Sequence, residues 1–217
     1  MKKYYLHALQ YSERKMGAIR ERYDIIRYLL SVIQFLNIEP LDRISDKSED
    51  ADVFIIVDKM SRLFWGTEDK IHSIQYPFQL KESDGSLIST YDDRKIDSET
   101  IAVLLTILEG RECFTRSIDD MLDYFMDTMN DFEIRDNDYA RFCWSLLLHL
   151  LSFEPGYLRY DHDENEKRKN AVRHPVDHID FYYSGNNTFK VGLKDRIGLN
   201  DLQTIVNINE RCCFLNY

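Results

Sequence analysis

From Met16 the apolar positions Met16, Ile19, Tyr23, Ile26, Leu30 and Ile33 advance in alternating steps of three and four residues. That spacing lays them along one helical face, and Leu29, Val32 and Leu36 make the face broader than a coiled-coil seam. The pattern predicts a helix over Met16–Leu36, stopped by Pro40. Residues 42–52 are polar and read as a loop. The dense apolar run from Val53 to Trp65 predicts a further helix with Gly66 as its C-terminal cap, although Val53–Val57 would serve equally well as a buried strand. Two β-prone pieces, Ile71–Leu80 and Leu87–Tyr91, flank the turn Ser83-Asp84-Gly85 and suggest a hairpin. Three helices follow. Ser98 caps the first (Glu99–Glu109), Ser117 with Asp120 opens the second (to Phe132), and Asp138 caps the third (Tyr139–Phe153), which is apolar on nearly every side.

After Gly156 the period changes to two. Tyr157–Asp161, Ile179–Ser184 and Phe189–Leu193 read as strands, the last two joined by Gly185-Asn186-Asn187. Asn200 caps a short helix to about Asn209, and Cys212–Leu215 reads as an edge strand. The expected fold is therefore α+β, mainly helical in its N-terminal two-thirds, with a small antiparallel β-sheet in the C-terminal third. One domain is expected over 1–217, with a docking helix in 1–40, a helical core in 98–155 and a β-rich segment in 156–217.

Composition adds class rather than shape. With 44% hydrophobic and 30% charged residues the chain holds enough apolar surface to fold. Thirty-eight acidic against 28 basic residues leave a charge of −10, which argues against a nucleic-acid-coating protein. Nucleic acid would be engaged only through a complex or a local basic patch. The charge is segregated: residues 1–36 carry seven Lys and Arg against three acids, whereas residues 117–138 carry eight acids against Arg135 alone. The Met16–Leu36 stripe reads first as core packing and the charged stretches as solvated helix faces; the alternative is that the Met16–Leu36 helix or the acidic 117–138 surface docks a protein partner. Cys113, Cys143, Cys212 and Cys213 show no CxxC spacing, so reduced thiols are expected. No apolar signal core follows the first lysines, and no run approaches the ~18 apolar residues of a membrane span, so the expectation is a cytoplasmic protein.

The chemistry-bearing stretch is Arg159-Tyr160-Asp161-His162-Asp163, then a charged loop, then Arg173-His174-Pro175-Val176-Asp177-His178-Ile179-Asp180. On strands, Arg159, Asp161 and Asp163 share one face, as do His178 and Asp180. If the two strands pair, carboxylates and imidazoles converge on a donor set suited to a divalent metal: Asp161, Asp163, His174, His178 and Asp180. In a catalytic reading Arg159, Asp161, His174 and His178 carry the reaction, and Arg159 or Arg173 contacts phosphate. The structural reading has Arg159 ion-paired and both histidines holding the loop by hydrogen bonds. The run Arg168–His174 also has the look of the Arg-and-His motif of helical HEPN ribonucleases, although Pro175 disfavours helix there. A winged-helix DNA binder formed by residues 117–153 and the hairpin after them is discouraged by the acidity of 117–138. His149, alone on an apolar helix, reads as structural.

On these residues the chain resembles, over 156–215, the C-terminal half of bacterial families found among mobile-element, toxin and phage-defence genes. The likeness rests on Arg159, Tyr160, Asp161, Asp163, His174, Pro175 and His178, an RYDxD…HPxxH pattern. Asp180 stands where such families often place a second histidine. The resemblance implies an accessory or interaction subunit of an anti-phage defence or toxin-type complex. The alternative is a metal-dependent nuclease built on residues 159–180.

Overall fold

The computed structural model describes residues 1–7, 19–45, 53–66, 69–110, 117–181 and 189–213. In chain order the elements are β1 (Lys2–Tyr5), α1 (Arg22–Ile38), α2 (Leu41–Ser45), β2 (Val53–Val57), β3 (Arg62–Gly66), β4 (Lys70–Gln75), β5 (Gln79–Ser83), β6 (Ser86–Tyr91) and β7 (Arg94–Lys95). There follow α3 (Ser98–Glu109), α4 (Ile118–Asp131), α5 (Asn137–Ser152), β8 (Leu158–His162), β9 (Asp177–Phe181), β10 (Phe189–Gly192) and α6 (Leu199–Val206). They divide into two compact units interleaved in sequence, one from Met1–Gln10, Ser48–Gln75 and Gly156–Tyr217, the other from Tyr11–Lys47 and Tyr76–Pro155.

The first unit is a seven-stranded antiparallel sheet in the order β1-β2-β3-β4-β8-β9-β10. The α+β class stands, but a mainly helical N-terminal two-thirds with a small C-terminal sheet does not: sheet dominates. The three C-terminal strands extend a sheet begun by β1 to β4. The misread segment is Val53–Gly66, a hairpin rather than a helix. Val53, Phe54, Ile55 and Ile56 are all buried, so the strand is covered on both faces and shows no alternation to separate it from a core helix. The polar break Asp58-Lys59 and the β-branched residues before it decide for strand. Gly66 is not a helix cap. It sits at φ +151, where a Cβ would lie 1.9 Å from the Lys70 carbonyl oxygen, so glycine is what lets β3 lie this close to β4.

Alternation gives this sheet two different faces. On one, Ile71, Tyr160 and Ile179 bury with Leu202 of α6, and Phe54, Ile56 and Phe64 pack with Leu199 and Val206. The opposite face of β4, β8, β9 and β10 carries the polar residues of the candidate site.

The second unit packs α1 against β6, α3 and α5, beside the three-stranded sheet β5-β6-β7. The expected turn at Ser83-Asp84-Gly85 is there, with Asp84 and Gly85 at φ +50 and +74, but the first hairpin strand is Gln79–Ser83 rather than Ile71–Leu80, since Ile71–Gln75 belongs to β4 of the seven-stranded sheet. Helix α1 begins at Arg22, where the Asp24 carboxylate accepts the Arg20 and Glu21 amides; residues 16–18 of the expected helix lie outside the described residues. Ile25, Ile26, Leu29, Leu30, Val32, Ile33 and Leu36 are all fully buried, so the apolar stripe of α1 is core rather than a face for a partner. Ser117 caps α4 as expected, but Asp97 replaces Ser98 as the cap of α3 and Asp136 replaces Asp138 as that of α5, each one or two residues earlier. Near the C-terminus Gly198 rather than Asn200 precedes α6, and Cys212 and Cys213 are not in a strand. The Gly185-Asn186-Asn187 turn and Cys113 lie outside the described residues. Among the described residues no helix is long and apolar enough to cross a membrane.

Candidate functional site on strands β8 to β10

Strand register builds the site. In the β8–β9 pair Arg159 stands opposite Asp180 and Asp161 opposite His178; β10 then places Lys190 opposite Asp180. These are directly facing positions, so five side chains from three strands leave the sheet on one side within a few ångströms of each other. On the other flank β4 sets His72 opposite Arg159 and Lys70 opposite Asp161. Pro175 fixes the approach to β9. It lies against Gly192 of β10, where a Cβ would come within 2.9 Å of the proline ring, so the absent side chain lets the His174–His178 turn seat on the sheet.

The cluster is a continuous network. The Arg159 guanidinium donates through one nitrogen to Asp161 Oδ2 at 2.7 Å and to Asp180 Oδ2 at 2.5 Å. The Lys190 ammonium donates to Asp180 Oδ1 at 2.5 Å and lies 3.0 Å from His178 Nε2. His178 Nδ1 is 2.9 Å from the Pro175 carbonyl oxygen, which can only accept, so Nδ1 carries the proton and Nε2 turns its lone pair toward Lys190. Nε2 also lies 3.7 Å from a carboxylate oxygen of Asp161 and of Asp180. Burial, reinforced by the Lys190 charge, holds the His178 ring below its ordinary pKa, which keeps it neutral at pH 7. Two carboxylates therefore face two cations, and the network is charge-balanced.

Depth separates the partners. Asp161, His178 and Asp180 are 5%, 0% and 2% exposed, whereas the Arg159 and Lys190 side chains retain 20% and 26%. The acids form the floor and the cations the outer surface. Satisfaction is incomplete: Asp161 Oδ1 and Arg159 Nε are buried with no hydrogen-bond partner among the described residues. His72 closes one side, its ring stacked on Trp65 at 4.9 Å and its Nδ1 3.2 Å from the Tyr157 hydroxyl. Burial, then the charges of Arg159 and Lys70, push His72 down to about 3, so it too is neutral. Burial pushes the Tyr157 hydroxyl up to about 12.

Of the residues expected at the site, Arg159, Asp161, His178 and Asp180 are brought together. Asp163 and His174 are not part of the network. Strand β8 ends at His162, and Asp163 turns into the loop, where its Oδ1 accepts the Asn165 amide at 3.0 Å and its Oδ2 lies 3.4 Å from Arg168. His174 packs its ring edgewise on His178, 4.6 Å between centroids, with Nδ1 buried and without a hydrogen-bond partner among the described residues. Arg173 is exposed in a turn held by Asn170, whose Oδ1 accepts the Val172 and Arg173 amides, so Arg168–His174 is not the helix that a HEPN-type site requires. His149 sits among Phe78, Tyr91 and Phe153, consistent with a structural ring. Lys190, His72, Tyr157 and Trp65 were not anticipated.

On the opposite face of the sheet, His162 and Tyr160 both bond Asp177 Oδ1, at 2.8 and 2.6 Å. A cavity of about 200 Å³ also opens on that face, lined by Arg62, Phe64, Asn200, Gln203 and Asn207, and receives none of the expected site residues. Chemically, the polar cluster offers three groups able to ligate a cation, Asp161, His178 and Asp180, whose ligand atoms lie within 4.8 Å of one another. No protein-family model, curated protein or solved structure matches the chain.

Proposed function

We propose that the protein is an interaction subunit of a bacterial phage-defence or toxin-type assembly, and that helix α4 docks a basic amphipathic helix of a partner protein. The genetic setting rests on the RYDxD…HPxxH resemblance. The docking mode rests on one observation: Ile118, Leu122 and Met126 are 73%, 40% and 49% exposed at i, i+4 and i+8 of α4. Residues four apart share a helical face, so these three make one apolar stripe, while Met121, Phe125, Thr128 and Met129 bury the other side. Asp119, Asp120, Asp123, Asp127 and Asp131 lie along the same helix with no basic residue among them. A helix that presents Leu or Met anchors between Lys and Arg complements both features, whereas a second copy of α4 would bring acid against acid. The test is co-expression with the products of adjacent genes, followed by titration of the purified partner. A one-to-one complex that weakens at least tenfold in Leu122→Lys/Met126→Lys and at raised salt supports the reading. No complex with any of those products, or one indifferent to the double substitution, overturns it.

A second reading, a metal-dependent nuclease, is favoured by the convergence of Asp161, His178 and Asp180. A cation-held water beside Arg159 and Lys190 would face a phosphodiester with cations ready to hold its oxygens. Cleavage of single- or double-stranded substrates with Mg²⁺ or Mn²⁺, lost in His178→Ala, is the expected result. Absence of cleavage in the wild type under both ions refutes it.

A further inference from the structure

We infer that Asp161, His178 and Asp180 form a divalent-cation site, and that the ammonium of Lys190 is its built-in competitor, holding the cation's place until an ion displaces it. This deepens the nuclease reading without requiring that any bond be cleaved, and it is independent of the docking reading.

Five observations carry it. The donor set is of mixed nitrogen and oxygen type, held on paired strands rather than on a loop. Tetrahedral donors at ~2.1 Å from one ion lie about 3.4 Å apart, so a set already within 4.8 Å has to close by no more than about 1.4 Å. His178 is locked in the ligand tautomer, because the Pro175 carbonyl takes the Nδ1 proton and leaves the Nε2 lone pair inward. Lys190 Nζ bonds Asp180 Oδ1 and His178 Nε2, two of the three atoms a cation would claim. The fifth observation concerns Asp161. It is 5% exposed, yet its Oδ1 is buried without a hydrogen-bond partner among the described residues, a carboxylate oxygen with coordinating capacity unspent.

Charge explains why the competitor matters. With Lys190 inside, two acids meet two cations. With Lys190 swung outward, Asp161, Asp180 and Arg159 sum to −1, and a divalent ion brings the set to +1. The side chain of Lys190 is 26% exposed, so its ammonium has a path to water. The wild type therefore binds a divalent ion weakly, because the ion must expel a well-bonded ammonium and leave a net positive charge. Removing the ammonium lifts the first obstacle. The cation class is Mn²⁺ or Zn²⁺, which accept imidazole with carboxylate, rather than Ca²⁺ with its preference for six or more oxygens.

The experiment uses Mn²⁺, which avoids the exposed thiols of Cys212 and Cys213. Binding to the full chain is followed by electron paramagnetic resonance for wild type, Lys190→Ala and Lys190→Met, the last preserving the buried stem. The expected result is one Mn²⁺ per chain in both Lys190 variants, at least tenfold tighter than in the wild type. Affinity should return to the wild-type level or below when His178→Ala or Asp161→Asn is added. Thermal melts of the Lys190 variants should rise on adding Mn²⁺, since an ion that binds only the folded state stabilises it. Equal affinity in wild type and both Lys190 variants, or a gain that survives His178→Ala, overturns the inference. Binding with this pattern but without cleavage of any substrate retains the cation site and removes the nuclease reading.

Discussion

Arg159 is the hinge of the charge network, because one of its nitrogens serves both Asp161 and Asp180. Arg159→Met keeps the stem that covers the sheet and removes only the charged fork. Asp180 retains Lys190, but among the described residues Asp161 keeps only the His178 ring at 3.7 Å, and its second oxygen already lacks a partner there. Breaking a buried pair from one side costs about 3–5 kcal/mol. The 20% exposure of the Arg159 side chain places the expected loss near the lower end, about 3 kcal/mol. For a chain of this length each kcal/mol moves the melting temperature by about 2–4 °C, which gives a fall of roughly 6–12 °C. Lys190→Met should cost less, about 1–2 kcal/mol, because Asp180 keeps Arg159 and the lysine is closer to water. Adding Asp161→Asn to Arg159→Met removes the stranded charge and should recover at least about 1 kcal/mol. Urea unfolding in a Trp144→Phe background isolates Trp65, which stacks on His72 beside the network, and so reports on this sheet alone. A loss below about 1 kcal/mol for Arg159→Met, or no recovery in the double variant, refutes the assignment of Arg159 as the ion-pair partner that balances Asp161.

Three further outcomes are expected. The hydrogen bond that the His162 ring donates to Asp177 raises the pKa of His162, so its contribution to stability is complete below the ordinary 6.5 and fades as pH rises through the raised value. Burial pushes Asp177 up, but the Tyr160 hydroxyl and His162 outweigh it and leave the acid low; its contribution is complete above the ordinary 3.8 and fades as pH falls through the lowered value. The stability difference between wild type and His162→Gln should peak between those two ordinary values, and a flat difference across pH would contradict the pairing. Gly66→Ala, at a positive φ with the Lys70 carbonyl in the way, should cost more than about 2 kcal/mol in the same urea assay; an unchanged midpoint would show that β3 and β4 can separate freely there. Asp136→Ala should cost about 1 kcal/mol, as the loss of a helix cap, and Asp138→Ala no more than about half that; the reverse order would move the start of α5 back to Asp138.

Where a segment was amphipathic or carried a cap, its type was legible. The acidic helix after Ser117, the helix over 98–109, and the two-residue period of β8 and β9 each announce themselves locally, because one face meets water and the other does not. The failure at Val53–Gly66 has the opposite cause. A strand covered on both faces loses its alternation, and a dense apolar run then fits a core helix as well as a central strand. That single ambiguity inverted the layout of the fold, since β2, β3 and β4 are the strands onto which the C-terminal ones are added.

The site was legible only as far as register could be guessed. Alternation places Arg159 with Asp161 and His178 with Asp180, and antiparallel neighbours separated by one loop are the simplest pairing, so those four were found. Asp163 obeys the same parity and yet is absent, because parity holds only while the strand continues, and β8 ends one residue before it. Lys190 had no chemical signal of its own. In Phe189-Lys190-Val191 it reads as the solvent-side residue of an edge strand, where lysine is common for reasons unrelated to a site. Only the β9–β10 register puts it opposite Asp180 and turns a surface lysine into the cation that neutralises the cluster. A set of acids and imidazoles read from sequence therefore looks more like a metal site than the folded protein does, because the lysine that competes for the same oxygen and nitrogen belongs to a strand with no apparent part in the motif.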